Sequence, residues 1–435
     1  MSATVAFTTL GCRLNQADTQ ALQTLLERRG FRTVPLGARP DVVVVNTCTV
    51  TARAELSDRR AIRRAARVSG GGRVVVTGCW AQTSPDDVAA LGGVDLVVGN
   101  ADKARLPDLL ADLTRTGAPR IEVSALAGAR FEAVAPRPAG RARAFLKVQD
   151  GCQHRCAFCV VPLARGASRS LPLDVVEAHA RALVEAGHPE IVLTGVDLGH
   201  YGADLLPRTS LAALLARLVA VEGLRWLRLS SMLPAYFTGE VLEIVTASPV
   251  IAPHLHVPLQ SGSDRVLRAM RRPYTAAMYR GLVERLAAAI PRLGLGADVI
   301  AGFPGEDEDD FADTLALVEA LPFSYLHVFP YSARRGTGAA GLPDRVPPAT
   351  AAGRGGRLRA LAAVKNRRFR ESMLGRVEDV LVLEAPDRAT GDLVGLTGNY
   401  MEVTFRGPDR LRRRTARVRV TALEPAATRG TLEEE

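Results

Sequence analysis

The sequence predicts an α/β chain in three parts: an N-terminal parallel α/β domain, a central partial barrel of six βα units, and a small C-terminal all-β barrel. Three observations carry this. Short, continuous apolar runs alternate with helical patterns over residues 1–113, as expected for strands buried on both faces of a parallel sheet. The alternation resumes at 143 and continues for six units to about 350, too few to close an eight-fold barrel. Past 373, β-rich runs separated by Gly, Pro and Asp take over.

In the first part, residues 4–10 form a β-rich run that ends at Gly11-Cys12. A helical face of Leu22, Leu25 and Leu26 follows, with Gly30 as a C-cap residue. The apolar runs 41–46 and 73–77 lead into Thr47-Cys48 and Gly78-Cys79, with a helix over about 51–68 between them. Ser84-Pro85 reads as an N-cap followed by proline at the first helical position. Each strand therefore ends in a cysteine. Cys12, Cys48 and Cys79 fall 36 and 31 residues apart, the length of one βαβ unit of roughly 30 residues or more. All three should emerge at the carboxyl edge of the sheet, where open parallel sheets bind ligands. A three-thiolate metal site follows. The competing reading, three small residues that only pack, does not explain their equivalent placement in each repeat.

Residues 114–142, rich in Ala, Pro, Gly and Arg, read as a linker. In the central part, 143–350, strands are expected at 144–148, 190–193, 226–229, 255–259, 297–301 and 325–329, with helices at 173–186, 210–221 and 309–321 among those between them. Residues 351–373 form a basic helical connector, 374–424 a β module with strands at 377–384, 393–405 and 415–421, and 425–435 a tail.

With 435 residues, 47% hydrophobic and 23% charged, the chain is long enough for several cores and is neither disordered nor fibrous. Six cysteines in this length exclude a disulfide-stapled miniature fold. The longest aliphatic run, 42–45, excludes a helical membrane span. The first twelve residues lack a basic segment followed by an apolar stretch, so the expectation is a soluble, cytoplasmic protein. The net charge of +10 points to an acidic partner such as nucleic acid. Only Lys103, Lys147 and Lys365 of the 56 basic residues are lysines, however, a bias that genome composition alone can produce. The placement of the arginines is therefore more telling than their number. Arg59, Arg60, Arg63, Arg64 and Arg67 share one helical face, and Arg410, Arg412, Arg413, Arg414, Arg417 and Arg419 crowd a stretch without an acidic residue. Each set is either a phosphate-contacting surface or a solvated face.

The sharpest chemical signal is Cys152, Cys156 and Cys159, a C-x3-C-x2-C loop directly after the first barrel strand. Three thiolates in a tight loop can hold one face of an iron–sulfur cubane and leave one iron free for a substrate, the arrangement that separates catalytic from closed sites. Zinc, with His154 as fourth ligand, is the rival, although a histidine two residues from each of two cysteines reaches the same metal poorly. A reactive disulfide would leave one thiol over.

In this position the loop resembles that of the radical S-adenosylmethionine (radical SAM) superfamily, and Phe158 matches the aromatic residue usual before the last cysteine. The wider chain is similar to the methylthiotransferase family within it. Resemblance is carried by Thr9 to Asn15, Asn46 to Thr51, Thr77 to Cys79, Gln149 to Cys159, Arg165-Gly166 with Ser168 to Ser170, Leu259 to Gly262 and Gly302 to Glu306. It covers essentially the whole chain, including a C-terminal module like the RNA-binding TRAM domain. The resemblance implies two [4Fe–4S] clusters, one on Cys152, Cys156 and Cys159 and one on Cys12, Cys48 and Cys79. It also implies S-adenosylmethionine both as radical source and as methyl donor, with Phe158, Gly195, Ile300 and Gly302 near that cofactor. The implied partners are tRNA, at its anticodon stem-loop, and a low-potential electron donor such as flavodoxin or ferredoxin, with no membrane. RNA contacts would fall to Arg59, Arg60, Arg63, Arg64, Arg410, Arg412, Arg413 and Arg414. Asn46 to Thr51 and the arginine helix after it are most similar to the subgroup that methylthiolates N6-threonylcarbamoyladenosine beside the anticodon. Relatives acting on isopentenyladenosine or on a ribosomal-protein aspartate are the alternatives, and a zinc-stabilised RNA-binding module is the alternative from another class. The chain departs from the family pattern at Leu233, where a glutamate is common.

Overall fold

The computed structural model describes residues 3–113, 117–129, 131, 133–135, 140–425 and 427–433. The first domain is a six-stranded parallel sheet in the order Arg32–Thr33, Thr4–Thr9, Val42–Thr47, Arg73–Gly78, Leu96–Val98, Arg120–Glu122. Its central strands are apolar on both sides because both sides are covered. Val42, Val44 and Val75 pack with Leu22 and Leu26 of the helix Arg13–Arg28, while Val43, Val45 and Val76 pack on Ile62 and Ala65 of the helix Ala52–Val68. The Thr51 hydroxyl caps the latter helix. Ser84 precedes the helix Pro85–Ala89, but its side chain makes no cap bond.

The six parallel barrel strands are Arg143–Lys147, Glu190–Thr194, Trp226–Leu229, His254–His256, Gly294–Ala301 and Tyr325–Pro330. Two three-stranded sheets are joined by a parallel bridge between Leu227 and Ile251. Alternate residues face outward into one large core beneath the helices, among them Leu146, Leu193, Leu229, Leu255 and Val299. The helix Arg13–Arg28 packs along the first barrel strand, where its Ala17 meets Phe145 and Val192.

Three boundaries differ from the expectation. Arg120–Glu122, within the stretch read as linker, is an edge strand of the first sheet, too short and polar to stand out. The run 393–405 is a hairpin of Leu393–Thr397 and Glu402–Phe405, broken by a turn at Gly398 to Tyr400. The segment read as a tail contains the strand Thr428–Leu432, which pairs with Thr415–Leu423 and closes the five-stranded C-terminal barrel. Closure removes the edges that an open sheet would leave unpaired.

The hairpin turn plugs the floor of the central barrel. Arg228, fully buried in an ion pair with Glu190, donates from Nη1 to the Gly398 carbonyl at 2.8 Å. Tyr400, held at φ 73°, stacks on His254 with ring centroids 4.4 Å apart and accepts a 2.7 Å hydrogen bond from Arg13 Nη2. All three lysines are structural. Lys103 and Lys147 pair with buried Asp18, and Lys365 donates to the Glu319 and Leu321 carbonyls at the end of the helix Glu308–Ala320. Among the described residues, no helix is long and apolar enough to cross a membrane.

Candidate active site

Strand register builds the first thiol group. Thr9 pairs with Asn46 and Thr47 with Gly78, so the three cysteines leave neighbouring strands at one edge. Glycine is required beside them. At Gly11, φ 91°, a Cβ would stand 2.6 Å from Cys48 Cβ, and at Gly78, φ 100°, 2.4 Å from the Thr47 oxygen. The Cys48 amide donates to Asp58 Oδ2 at 3.0 Å. Asp58 is buried, its other oxygen has no partner among the described residues, and burial pushes its carboxyl up to about 7 despite the bond from Cys48. Sequence reading missed Asp58. Its signal is an acid four and seven residues before Ile62 and Ala65, on the buried face of a helix otherwise rich in arginine.

The second thiol group is built locally. Gly151, φ 76°, approaches so closely that a Cβ would lie 2.0 Å from the Ala167 oxygen. Buried Gln149 donates from Nε2 to the Gly151 carbonyl and Ser168 Oγ, both at 2.7 Å, and its Oε1 accepts from the Asp197 amide at 2.8 Å. Arg272 Nη1 donates to Cys156 Sγ at 3.2 Å, and its Nη2 is buried without a partner among the described residues. His154 is engaged elsewhere: its Nε2 lies 2.7 Å from Tyr236 Oη, which also donates to Asp197. Leu233 opens the turn Pro234–Tyr236 that delivers this tyrosine.

A buried ion network joins the two groups. Arg165, 2% exposed, bonds Asp150 and Asp18 at 3.0 Å and Asn15 at 2.6 Å. Burial pushes the Cys79 thiol up, partly offset by Arg165. Burial likewise raises Cys48 to about 12 and Cys159 to about 11, with Cys12 and Cys79 adding to the former and Cys156 and Cys79 to the latter. Cys159 and Cys79 thus lie within electrostatic reach across the domain boundary. On the far side, Arg334 after the last barrel strand pairs with Glu55 and donates to Thr49 at 2.9 Å, while Ser332 accepts from the Ala52 amide.

Among the described residues, the one set of three His, Cys, Asp or Glu side chains whose ligand atoms all lie within 4.8 Å is His256, Asp298 and His327; neither cysteine trio draws in so tightly. Tetrahedral zinc with 2.3 Å bonds would hold its sulfurs about 3.8 Å apart. As placed, neither trio is drawn in to that spacing, and an all-thiolate donor set is one that iron–sulfur clusters take.

Of the residues expected near the cofactor, Phe158 and Ile300 line a cavity with Cys159, Gln260, Asp298 and Phe329. Gly195 abuts Gln149, whereas Gly302 packs on Ala351 of the helix Pro348–Glu371. Of the arginines, Arg60, Arg63, Arg64, Arg410, Arg413 and Arg414 are exposed. Arg59 leaves its expected face and stacks over Trp80 at 4.7 Å, and Arg412 pairs with Asp409.

Residues 146–318 match the radical SAM superfamily and residues 4–99 a family described as uncharacterized protein family UPF0004. The fold is similar to that of the radical S-adenosylmethionine methyltransferase TsrM from Kitasatospora setae, with TM-score 0.58, 18% identity and coverage of 78% of this chain and 77% of that one. That likeness speaks for the fold alone. A Bacillus subtilis protein named threonylcarbamoyladenosine tRNA methylthiotransferase MtaB is 40% identical over 96% of this chain and 94% of its own length. A tRNA-2-methylthio-N(6)-dimethylallyladenosine synthase from Clavibacter michiganensis is 35% identical over 91% of this chain and 75% of its own. The chain belongs to the radical SAM methylthiotransferase family. Its cofactors are S-adenosylmethionine and [4Fe–4S] clusters.

Proposed function

We propose that the protein methylthiolates C2 of N6-threonylcarbamoyladenosine beside the anticodon of tRNA. The observation that carries this is the 40% identity, from end to end, with a relative named for that activity. Cys152, Cys156 and Cys159 would hold one cluster, and Cys12, Cys48 and Cys79 the other. When bound, the central cluster with S-adenosylmethionine supplies a carbon radical, and the N-terminal cluster supplies the sulfur. The chain's own residues do the positioning. Gln149 braces the central loop, Arg272 directs a proton to Cys156, and Arg165 ties the end of the first barrel strand to the N-terminal domain. Val50, Thr51 and Ser332 wall the cavity beside Cys159 from the N-terminal side and the last barrel loop. The exposed Arg60, Arg63, Arg64, Arg410, Arg413 and Arg414 are the groups available for tRNA phosphates, as salt-sensitive positioning contacts. A low-potential donor such as flavodoxin or ferredoxin would provide the electron.

Anaerobic reconstitution should give about eight irons per chain from two four-iron clusters. Nucleoside mass spectrometry of tRNA from a deletion strain tests the substrate. The expected result is loss of 2-methylthio-N6-threonylcarbamoyladenosine with its precursor retained, and an unchanged level would sink the assignment.

A further inference from the structure

The last barrel strand alternates sharply. Leu326 and Val328 pack outward on the core, whereas Tyr325, His327 and Phe329 lie on the opposite, lumen face. His327 is 55% exposed there, although it stands directly opposite Asp298 in register. Its Nδ1 lies 3.2 Å from Asp298 Oδ1, and the same oxygen lies 3.1 Å from His256 Nε2. His256 Nδ1 is bonded in turn to Tyr325 Oη at 3.1 Å, which also meets His254 Nε2 at 2.9 Å. Gly296 makes room for this arrangement, since a Cβ there would lie 2.1 Å from the tyrosine ring. The ring of His327 is therefore held from behind by a chain of side chains on three adjacent strands. Among the described residues, no hydrogen bond reaches its Nε2, which is left for a ligand. Asp298 and Phe329, which flank the ring, line the cavity that contains Cys159.

The charge of the lumen indicates which ligand fits. Arg13 and Arg143 lie over Tyr400 at 5.5 and 5.8 Å, and of the acids facing them Glu190 is neutralised by Arg228. Asp298 is engaged by two imidazoles. A neutral, apolar substituent on the adenine would strip water from these groups and give nothing back, whereas a carboxylate would be received by Nε2–H of His327 in its doubly protonated form, with Nδ1–H kept on Asp298. A mononuclear metal fits less well, because one Asp298 oxygen already accepts from both rings and His256 spends its other nitrogen on Tyr325.

We propose that His327, oriented by Asp298, recognises the acidic amino-acid carbamoyl group on N6 of the target adenosine and so sets substrate choice. This rests on the substrate assignment above and adds to it the residue responsible. The test uses the reconstituted full chain with two anticodon stem-loops, one carrying N6-threonylcarbamoyladenosine and one carrying unmodified adenosine. His327→Phe should raise KM for the acidic RNA about 10- to 100-fold, the loss expected for one hydrogen bond to a charged group, and should change KM for the adenosine RNA far less. His327→Gln, which keeps a donor, should recover part of the difference. Fluorescence anisotropy on the cluster-free chain should show the same selective loss of binding. An unchanged preference in His327→Phe, with wild-type protein active on the acidic RNA, overturns the inference. So does a stoichiometric divalent metal that is lost on substitution of His327. Wild-type protein inactive on the acidic RNA instead overturns the substrate assignment, and this inference with it.

Discussion

The two cysteine groups reach the same rim by opposite means. Cys12, Cys48 and Cys79 come from three strands and are brought together by the register of a whole sheet, with Gly11 and Gly78 admitting the close approach of neighbouring loops. Cys152, Cys156 and Cys159 come from a single loop, shaped by Gly151 and braced by Gln149. The first group is a property of a domain and the second of a segment. Damage to the first should therefore appear as lost stability, and damage to the second as lost metal.

The largest expected effects separate the two groups by chemistry. Cys156→Ala should abolish 5′-deoxyadenosine formation altogether. Cys48→Ala should retain reductive cleavage of S-adenosylmethionine while methylthiolation disappears, and thiolation at the normal rate would contradict a second cluster there. Next is the ion network shared by both groups. Arg165→Met leaves Asp18 and Asp150 short of a buried partner, with an expected loss of about 3–5 kcal/mol in chemical denaturation. A loss below 1 kcal/mol would mean that Lys103 and Lys147 suffice. The glycines then test the comparison directly. Gly78→Ala should destabilise by about 1–3 kcal/mol, the scale of a strained backbone position. Gly151→Ala should lower bound iron from about eight to about four per chain with a smaller change in Tm. If both variants lose stability equally and keep their iron, the contrast between domain and segment fails.

The smallest effect lies away from both groups, at the barrel floor. Burial, reinforced by Arg228 and Arg13, holds His254 well below its ordinary value of 6.5. The unfolded chain then binds a proton that the folded chain refuses, so stability should fall as pH drops below about 6.5. His254→Gln should flatten that slope in denaturation curves between pH 7 and 5, and an identical slope would remove His254 as its source.

Much of this was legible in the sequence because it is written locally. Each barrel strand carries apolar residues at alternate positions, and each cysteine sits at a strand end or in one tight motif. The elements that escaped are short and polar. Arg120–Glu122 and Thr428–Leu432 gain their strand character from the partner they pair with rather than from their own composition. The polar side chains that escaped act at a distance. Arg165 meets Asp18 across 147 residues, and Asp298 meets His256 and His327 across 42 and 29, through register that no periodicity reveals. The arginine face was half legible: helical spacing placed five arginines together, but only packing shows Arg59 turning to Trp80.

Tyr400 limits how far the three parts can be treated as interchangeable. It belongs to the C-terminal barrel, stacks on a histidine of the central barrel and is bonded by Arg13, the residue after Cys12. A chimera cut at the apparent boundary near residue 374 would replace Tyr400 without its receiving arginines. Exchanging C-terminal barrels between family members therefore calls for transplanting a lock and its key together: the hairpin turn, Arg13, Arg143, Arg228 and His254.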